Sequence, residues 1–242
     1  MTLDRKSPKP LYLQLEEILR NKIENKEILP HQPIPSENEL SKQFNLSRMT
    51  VRGVLTSLVN EGLLYRVPGK GTFVAKEKIT TAPITQMGIR EQLEAMGYET
   101  ATTVIDKKID KASRKVAEFL SIHADSEVYV LERLRYASGE PLSIHTTYIP
   151  MALCSDLFNK NIGDFPLCNI LERNYNIVGK RGVETLDTVP AGADEAKLLK
   201  VKKGYPLLLL RYVMYSQDEI PFEYAVVLIR GDRLQLKFEF SR

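Results

Sequence analysis

Two arginines, Arg48 and Arg52, stand one helical turn apart in a segment that could present both on one surface. The apolar residues of this segment recur at intervals of three and four, which predicts a helix: Val51, Val54, Leu55, Leu58 and Val59. Arg52 lies opposite that apolar face, and Arg48 lies in the first turn. A guanidinium group donates paired hydrogen bonds to the edge of guanine or to a phosphate. The exposed face of this helix therefore has the chemistry needed to read nucleic-acid bases.

Short elements on both sides would position this helix. Ser36 and Glu39 fit a capping box that starts a preceding helix, and Ser47 is a second N-cap candidate. The sequence after the helix predicts a β-hairpin with the turn Pro68-Gly69-Lys70-Gly71. Two helices followed by a two-stranded wing have the shape that enters a DNA groove.

Four segments of this region are similar to the winged helix-turn-helix of GntR-type bacterial transcription regulators: Pro10-Leu11-Tyr12, Pro35-Ser36-Glu37, Ser47-Arg48-Met49-Thr50-Val51-Arg52 and Gly69-Lys70-Gly71-Thr72-Phe73-Val74. The resemblance implies that Arg48, Thr50 and Arg52 contact the major groove and that the wing glycines reach the minor groove. The expected DNA-binding residues are Ser36, Asn38, Ser47, Arg48, Thr50, Arg52, Gly69, Lys70 and Gly71. Asn38 departs from the family, which often has Arg there, so we expect one weaker contact.

The distribution of charge along the chain agrees with DNA binding by the N-terminal segment. The formal net charge is only +3, but residues 1–76 carry 12 Lys and Arg against 8 Asp and Glu. The rest of the chain carries 22 and 23, so the basic excess lies with the winged-helix segment, where counterion release on DNA requires it. Two cysteines in no CxxC pattern and the lack of a long apolar span predict a cytoplasmic protein with no membrane association.

A charged and threonine-rich stretch over residues 76–83 predicts a linker. It would separate a winged helix-turn-helix domain, residues 1–75, from a second domain, residues 84–242. Hairpin turns at Gly139-Glu140-Pro141 and Gln217-Asp218-Glu219 indicate a mainly antiparallel sheet with interspersed helices in the second domain. The predicted fold class is α+β, and no internal repeat is evident in the sequence.

The second half resembles the UTRA effector domain, and with it the HutC-like branch of the GntR family. The segments that carry this resemblance are Arg133-Leu134-Arg135, Gly139-Glu140-Pro141-Leu142, Tyr148-Ile149-Pro150, Phe222-Glu223-Tyr224 and Arg230-Gly231-Asp232-Arg233. The resemblance implies a chorismate-lyase-like fold that binds small metabolites and makes the dimer contact.

Arg133 and Arg135 lie two apart on a predicted strand and so share one face, where two guanidinium groups could clamp a phosphate or carboxylate. Backbone N–H groups between Thr85 and Arg90 could add donors. The expected effector-binding residues are Thr85, Met87, Gly88, Ile89, Arg90, Arg133, Arg135, His145 and Glu223.

Three positions depart from sugar-phosphate-binding relatives. His145 stands where they tend to have Glu, and Pro166 and Cys168 where they tend to have Ser and Tyr. Because these changes remove partners for sugar hydroxyl groups, we expect an anionic effector other than an amino-sugar phosphate.

These observations predict a dimeric transcription regulator, a repressor released from a palindromic DNA operator by a small anionic metabolite, either a sugar phosphate or a carboxylate. The alternative is an enzyme of lyase-like fold fused to a DNA-binding module, with His145, Glu223 and the arginines as acid, base and anion holder. We favour the regulator because the histidines are scattered and no nucleophile or cofactor motif is present. We expect no cofactor, no metal and no catalytic residue.

Overall fold

The computed structural model describes residues 2–85, 87–162 and 166–239. The chain forms two compact units, residues 1–78 and 79–242. Among the described residues, no helix is both long and apolar enough to cross a membrane.

The first unit is built from three helices and a hairpin within its described residues: α1 Leu11–Glu24, α2 Glu37–Phe44, α3 Arg48–Asn60, β1 Leu64–Val67 and β2 Gly71–Val74. The predicted caps are present. The Ser36 hydroxyl accepts from the Glu39 N–H while the Glu39 carboxylate accepts from the Ser36 N–H, which is the expected capping box. Ser47 caps α3 by accepting from the Thr50 N–H at 3.0 Å.

The core of the first unit explains why α3 is oriented as it is. Val51, Leu55 and Leu58 are almost completely buried, together with Leu15 of α1 and Leu40 of α2. Because one face of α3 fills this core, the opposite face must point to solvent.

The second unit contains these described elements: β3 Ile79–Thr81, α4 Ile89–Ala95, β4 Thr100–Lys111, α5 Arg114–Leu120, β5 Glu127–Ala137, β6 Glu140–Pro150, α6 Leu167–Tyr175, β7 Gly179–Pro190, α7 Ala193–Leu198, β8 Pro206–Ser216, β9 Pro221–Arg230 and β10 Leu234–Leu236. Within the described residues, six of these strands form an antiparallel sheet in the order β4-β5-β6-β9-β8-β7. The predicted α+β fold with a mainly antiparallel second domain is confirmed.

The topology of this sheet is an internal repeat that the sequence did not reveal. The elements from α4 to β6 follow the order helix, strand, helix, strand, strand, and the elements from α6 to β9 follow it again. The two sets of strands meet where β6 pairs with β9, and the sheet order is mirrored about that pair.

The helices cover both faces of the sheet. On one face, α4 packs through Ile89 and Leu93, and α6 packs through Ile170 and Leu171. On the other face, separate apolar clusters lie under α5 and α7. Strand residues therefore alternate between two cores, which is the pattern of a sheet buried on both sides.

Part of the predicted linker is structured. Ile79–Thr81 form β3, which pairs in parallel with β10, and Ile79 and Thr81 are buried. The interaction is non-local in sequence, since the strand that pairs with β3 lies near the chain's other end. The partner strand β10 is equally short and covers only Leu234–Leu236.

We expect Leu58→Ala to destabilise the first unit selectively. Leu58 is fully buried, and truncating a buried leucine costs about 2–5 kcal/mol because a cavity remains. Hydrogen exchange measured by mass spectrometry should become faster in α2 and α3 and stay unchanged in β8 and β9. Met49→Ala is the control, because 74% of Met49 is exposed and surface changes cost about 0.5 kcal/mol or less. Equal acceleration in both units would contradict the division into two units.

Candidate functional site

The exposed face of α3 carries Arg48 and Arg52. Arg48, Met49, Arg52 and Gly53 are exposed. Within the described chain, no hydrogen bond or ion pair engages the side chain of Arg48 or Arg52. Both guanidinium groups are therefore available for an external acceptor, as the sequence predicted.

Ser36, Ser47 and Thr50 already have structural roles in the helix caps. Ser36 takes part in the capping box, and the hydroxyl groups of Ser47 and Thr50 lie 2.8 Å apart. Asn38 is exposed in the first turn of α2. These four residues lie at the N-terminal ends of α2 and α3, where free N–H groups favour a phosphate.

The tip of the wing is exposed at Gly69, Lys70 and Gly71. Gly69 and Gly71 both have positive φ, 74° and 126°, which permits the tight turn. Arg66 of β1 was not predicted as part of this surface. Its guanidinium group donates to the Thr56 hydroxyl at 3.0 Å and so adds a third arginine next to α3.

The second unit contains a cavity of about 280 Å³ on the sheet face that α4 and α6 cover. Eight of the nine predicted effector-binding residues line it: Thr85, Met87, Gly88, Ile89, Arg133, Arg135, His145 and Glu223. Arg90 does not line it, because its side chain turns to Glu94, with Nε 2.7 Å from the carboxylate. Gln86 lies outside the described residues.

The two arginines of β5 provide the positive charge of the cavity. Arg133 is 3% exposed and donates to the Thr147 hydroxyl at 3.0 Å. The Nε–H groups of Arg133 and Arg135 are buried and have no hydrogen-bond partner in the described part of the chain. Burial and the charge of Arg133 lower the pKa of Arg135 to about 10, so the Arg135 guanidinium group stays charged at neutral pH.

His145 lies directly across the strand pair from Arg133. It is 2% exposed, and its Nε2 lies 2.9 Å from the Ser143 hydroxyl. Burial and the neighbouring charges of Arg135 and Arg133 hold the pKa of His145 well below its usual value. The imidazole is therefore neutral at physiological pH and adds no third positive charge.

Glu223 and Tyr212 form a polar pair on the β8–β9 side of the cavity. The Tyr212 hydroxyl donates to the Glu223 carboxylate at 2.7 Å. Burial raises the pKa of Glu223, while the Tyr212 hydrogen bond and the two arginines act in the opposite direction. Burial and the charge of Glu223 raise the pKa of Tyr212, which keeps its hydroxyl protonated as a donor.

A hydrogen bond between two further residues of the cavity wall was not predicted. Glu91 in the first turn of α4 accepts a hydrogen bond from the Cys168 thiol of α6, with Sγ 3.3 Å from Oε1. Burial of the sulfur and the charge of Glu91 raise the pKa of Cys168 to about 12, so it stays a thiol. Cys154, by contrast, is a buried residue, whereas Cys168 as a whole is exposed. No local sequence pattern predicts the contact between Glu91 and Cys168, because the two residues are far apart in the sequence.

Comparison with known proteins accounts for both units. Residues 11–74 match the bacterial regulatory proteins of the gntR family, and residues 95–235 match the UTRA domain. The chain is 36% identical to the HTH-type transcriptional repressor NagR of Bacillus subtilis over 96% of each chain. It is 28% identical to the histidine utilization repressor of Pseudomonas putida, over 97% of this chain and 94% of the relative.

A solved structure agrees with the fold. The crystal structure of PhnF from Mycobacterium smegmatis superposes with a TM-score of 0.68 at 28% identity, covering 93% of this chain and 98% of PhnF. The relatives are transcription regulators, so the alternative of an enzyme has no support. The chain therefore belongs to the gntR family of bacterial regulatory proteins, in its HutC-like branch with a UTRA domain, and is a ligand-responsive, DNA-binding transcriptional repressor.

Proposed function

We propose that this repressor binds a palindromic operator as a homodimer and is released by a small anionic metabolite that occupies the cavity of the second unit. The observation that carries the proposal is the pair of buried, unpartnered Nε–H groups of Arg133 and Arg135 in the described cavity wall. DNA and metabolite would meet the protein in the cytoplasm.

The exposed side of α3 supports the assignment of the DNA-reading residues. Arg48 and Arg52 project from the helix that would enter the major groove, and the wing tip at Gly69-Lys70-Gly71 would follow the minor groove. Ser36, Asn38, Ser47 and Thr50 would position the unit on phosphates rather than read sequence.

The chemistry of the cavity supports an anionic ligand. A buried guanidinium group is costly unless a counter-charge and hydrogen-bond acceptors surround it. Each arginine keeps one free donor, and a phosphate or carboxylate can accept from both. The neutral His145 supplies no carboxylate for a sugar hydroxyl, which supports an effector other than an amino-sugar phosphate.

The names of the relatives do not point to one effector. They include a probable fructoselysine utilization operon repressor of Escherichia coli, 30% identical over 99% of this chain, and the histidine utilization repressor already described. We therefore propose a class of ligand defined by its charge and leave its carbon skeleton open.

The first test is selection of binding sites from random duplexes by the full-length protein at physiological salt. A homodimer should recover an inverted repeat, because twofold protein symmetry calls for twofold symmetry in the DNA. Recovery of a single half-site would contradict the dimer, and recovery of no consensus would contradict sequence-specific binding.

Arg52→Ala should weaken binding to the selected operator. A paired arginine contact to guanine is worth about 1–3 kcal/mol, or roughly 5- to 150-fold in affinity. Fluorescence anisotropy with the operator and with a scrambled duplex measures the change. Lys22→Ala removes the same charge from α1 and should leave the ratio of the two affinities unchanged. Retention of that ratio by Arg52→Ala would refute the assignment.

Arg133→Ala and Arg135→Ala should bind the operator normally and fail to release it. Phosphorylated and carboxylated metabolites are first screened for release of the operator by the wild-type protein, with N-acetylglucosamine 6-phosphate expected to be inactive. The active compound is then titrated against both variants and against Arg114→Ala, which removes an exposed charge from α5 on the opposite sheet face. Normal release from either cavity variant would show that the arginines do not hold the effector.

A further inference from the structure

The carboxylate of Glu91 lies where the protein offers favourable interactions to a negatively charged group. Glu91 lines the cavity, and its Oε1 accepts from the thiol of Cys168 at 3.3 Å. Cys168 lies in the first turn of α6, a helix of nine residues whose N-terminal N–H groups favour negative charge. The same carboxylate folds back over Gly88 and fills the space that a Cβ would need there.

The groups around this carboxylate are those expected to hold the effector. The charge of Glu91 acts on Arg135, where it opposes the lowering of the arginine pKa, and on Glu223 and Cys168. Within the described chain, the buried Nε–H groups of Arg133 and Arg135 have no acceptor, and Glu91 does not bond to either. Glu91 therefore compensates the positive charge through space and leaves the arginine donors unused.

The charges in the cavity disfavour the presence of a bound anion and of the Glu91 carboxylate at the same time. Glu91 lines the cavity together with the two arginines, so an incoming anion would meet its carboxylate in a partly desolvated space. Like charges at close range in such a space repel strongly. An anion can approach Arg135 at low cost only if the Glu91 side chain leaves.

We propose that Glu91 is a resident counter-ion of the effector cavity, which the anionic group of the effector displaces when it binds. This inference rests on the proposed function, because it assumes that the cavity takes an anion. Glu91 sets the anion selectivity of the site, since only a ligand that neutralises the arginines better than a carboxylate on a flexible side chain can replace it. The thiol of Cys168 holds the carboxylate in its resident position.

Glu172 offers a matched control. It is an exposed carboxylate on α6 that lines the same cavity, and in the described structure it makes no hydrogen bond or ion pair through its side chain. Glu172→Gln removes one negative charge from the cavity rim without removing the contact to Cys168. A general electrostatic effect would be equal in Glu91→Gln and Glu172→Gln, whereas a resident counter-ion predicts a gain in the former alone.

The probe is inorganic phosphate, which has no cationic group that Glu91 could bind. Isothermal titration calorimetry on the full-length chain measures its affinity for the wild type, Glu91→Gln, Glu172→Gln and the double variant Glu91→Gln with Arg135→Ala. We expect Glu91→Gln to bind phosphate about tenfold more tightly, an increment typical of one close charge interaction. Glu172→Gln should change the affinity less than about threefold, and the double variant should lose binding. Circular dichroism melting confirms that each variant is folded.

The possible outcomes distinguish a failure of the counter-ion role of Glu91 from a failure of the proposed anion site. The counter-ion role would be overturned if Glu91→Gln bound phosphate with unchanged or lower affinity, or if Glu172→Gln gained as much affinity as Glu91→Gln. The anion site itself would still stand in either case, provided that phosphate binding depended on Arg135. Phosphate binding that survives Arg135→Ala, or no phosphate binding by any variant, would refute the anion site itself.

Discussion

The burial of two like charges on one strand is the constraint that shapes the second unit. Taking the guanidinium groups of Arg133 and Arg135 out of water is costly, and their mutual repulsion adds to that cost. The Thr147 hydroxyl accepts a hydrogen bond from Arg133, and the two arginines lower the pKa of Glu223 against the larger effect of burial, which raises it. Burial, together with the same charges, keeps His145 neutral. The protonation states of these polar residues thus follow first from burial and then from the charges of the two arginines.

The repeated topology decides where this cavity lies. Pairing of β6 with β9 brings the two halves together in the middle of the sheet. Helices α4 and α6 pack on the same face of that sheet. The first half contributes Arg133, Arg135 and His145, and the second contributes Tyr212 and Glu223. The fold supplies a recess between two apolar clusters, while the side chains that differ between the halves supply its chemistry.

Local sequence signals predicted the elements well because the interactions behind them are local. The caps at Ser36 and Ser47 satisfy N–H groups three residues away, and α2 and α3 begin where these caps predict. Alternation of residue types and hairpin turns placed Arg133 and Arg135 on one strand face. The family resemblance added the expectation that this face lines a pocket.

The contacts that the sequence did not reveal join residues far apart along the chain. Glu91 and Cys168 are separated by 77 positions, and the Thr80–Gln235 contact between β3 and β10 spans 155. No periodicity or spacing rule reports on such pairs, because they depend on how whole elements pack. The same is true of the internal repeat, which is visible in the order of elements and absent as repeated sequence.

Connectivity indicates how cavity occupancy can bear on the first unit. An effector alters DNA affinity only if it binds two arrangements of the protein unequally. Residues 84, 85 and 87–89 of the cavity wall follow closely after Lys78, where the first unit ends. The buried side chain of Gln92 holds this stretch, since it accepts from the Ala82 N–H at 2.7 Å and donates to the Met87 carbonyl at 2.6 Å. A ligand in the cavity would contact Met87, the residue whose carbonyl group accepts the second of these bonds. Couplings of about 1–3 kcal/mol are typical of regulation, and one or two hydrogen bonds are worth as much, so a change in the Gln92 contacts is large enough to account for a switch.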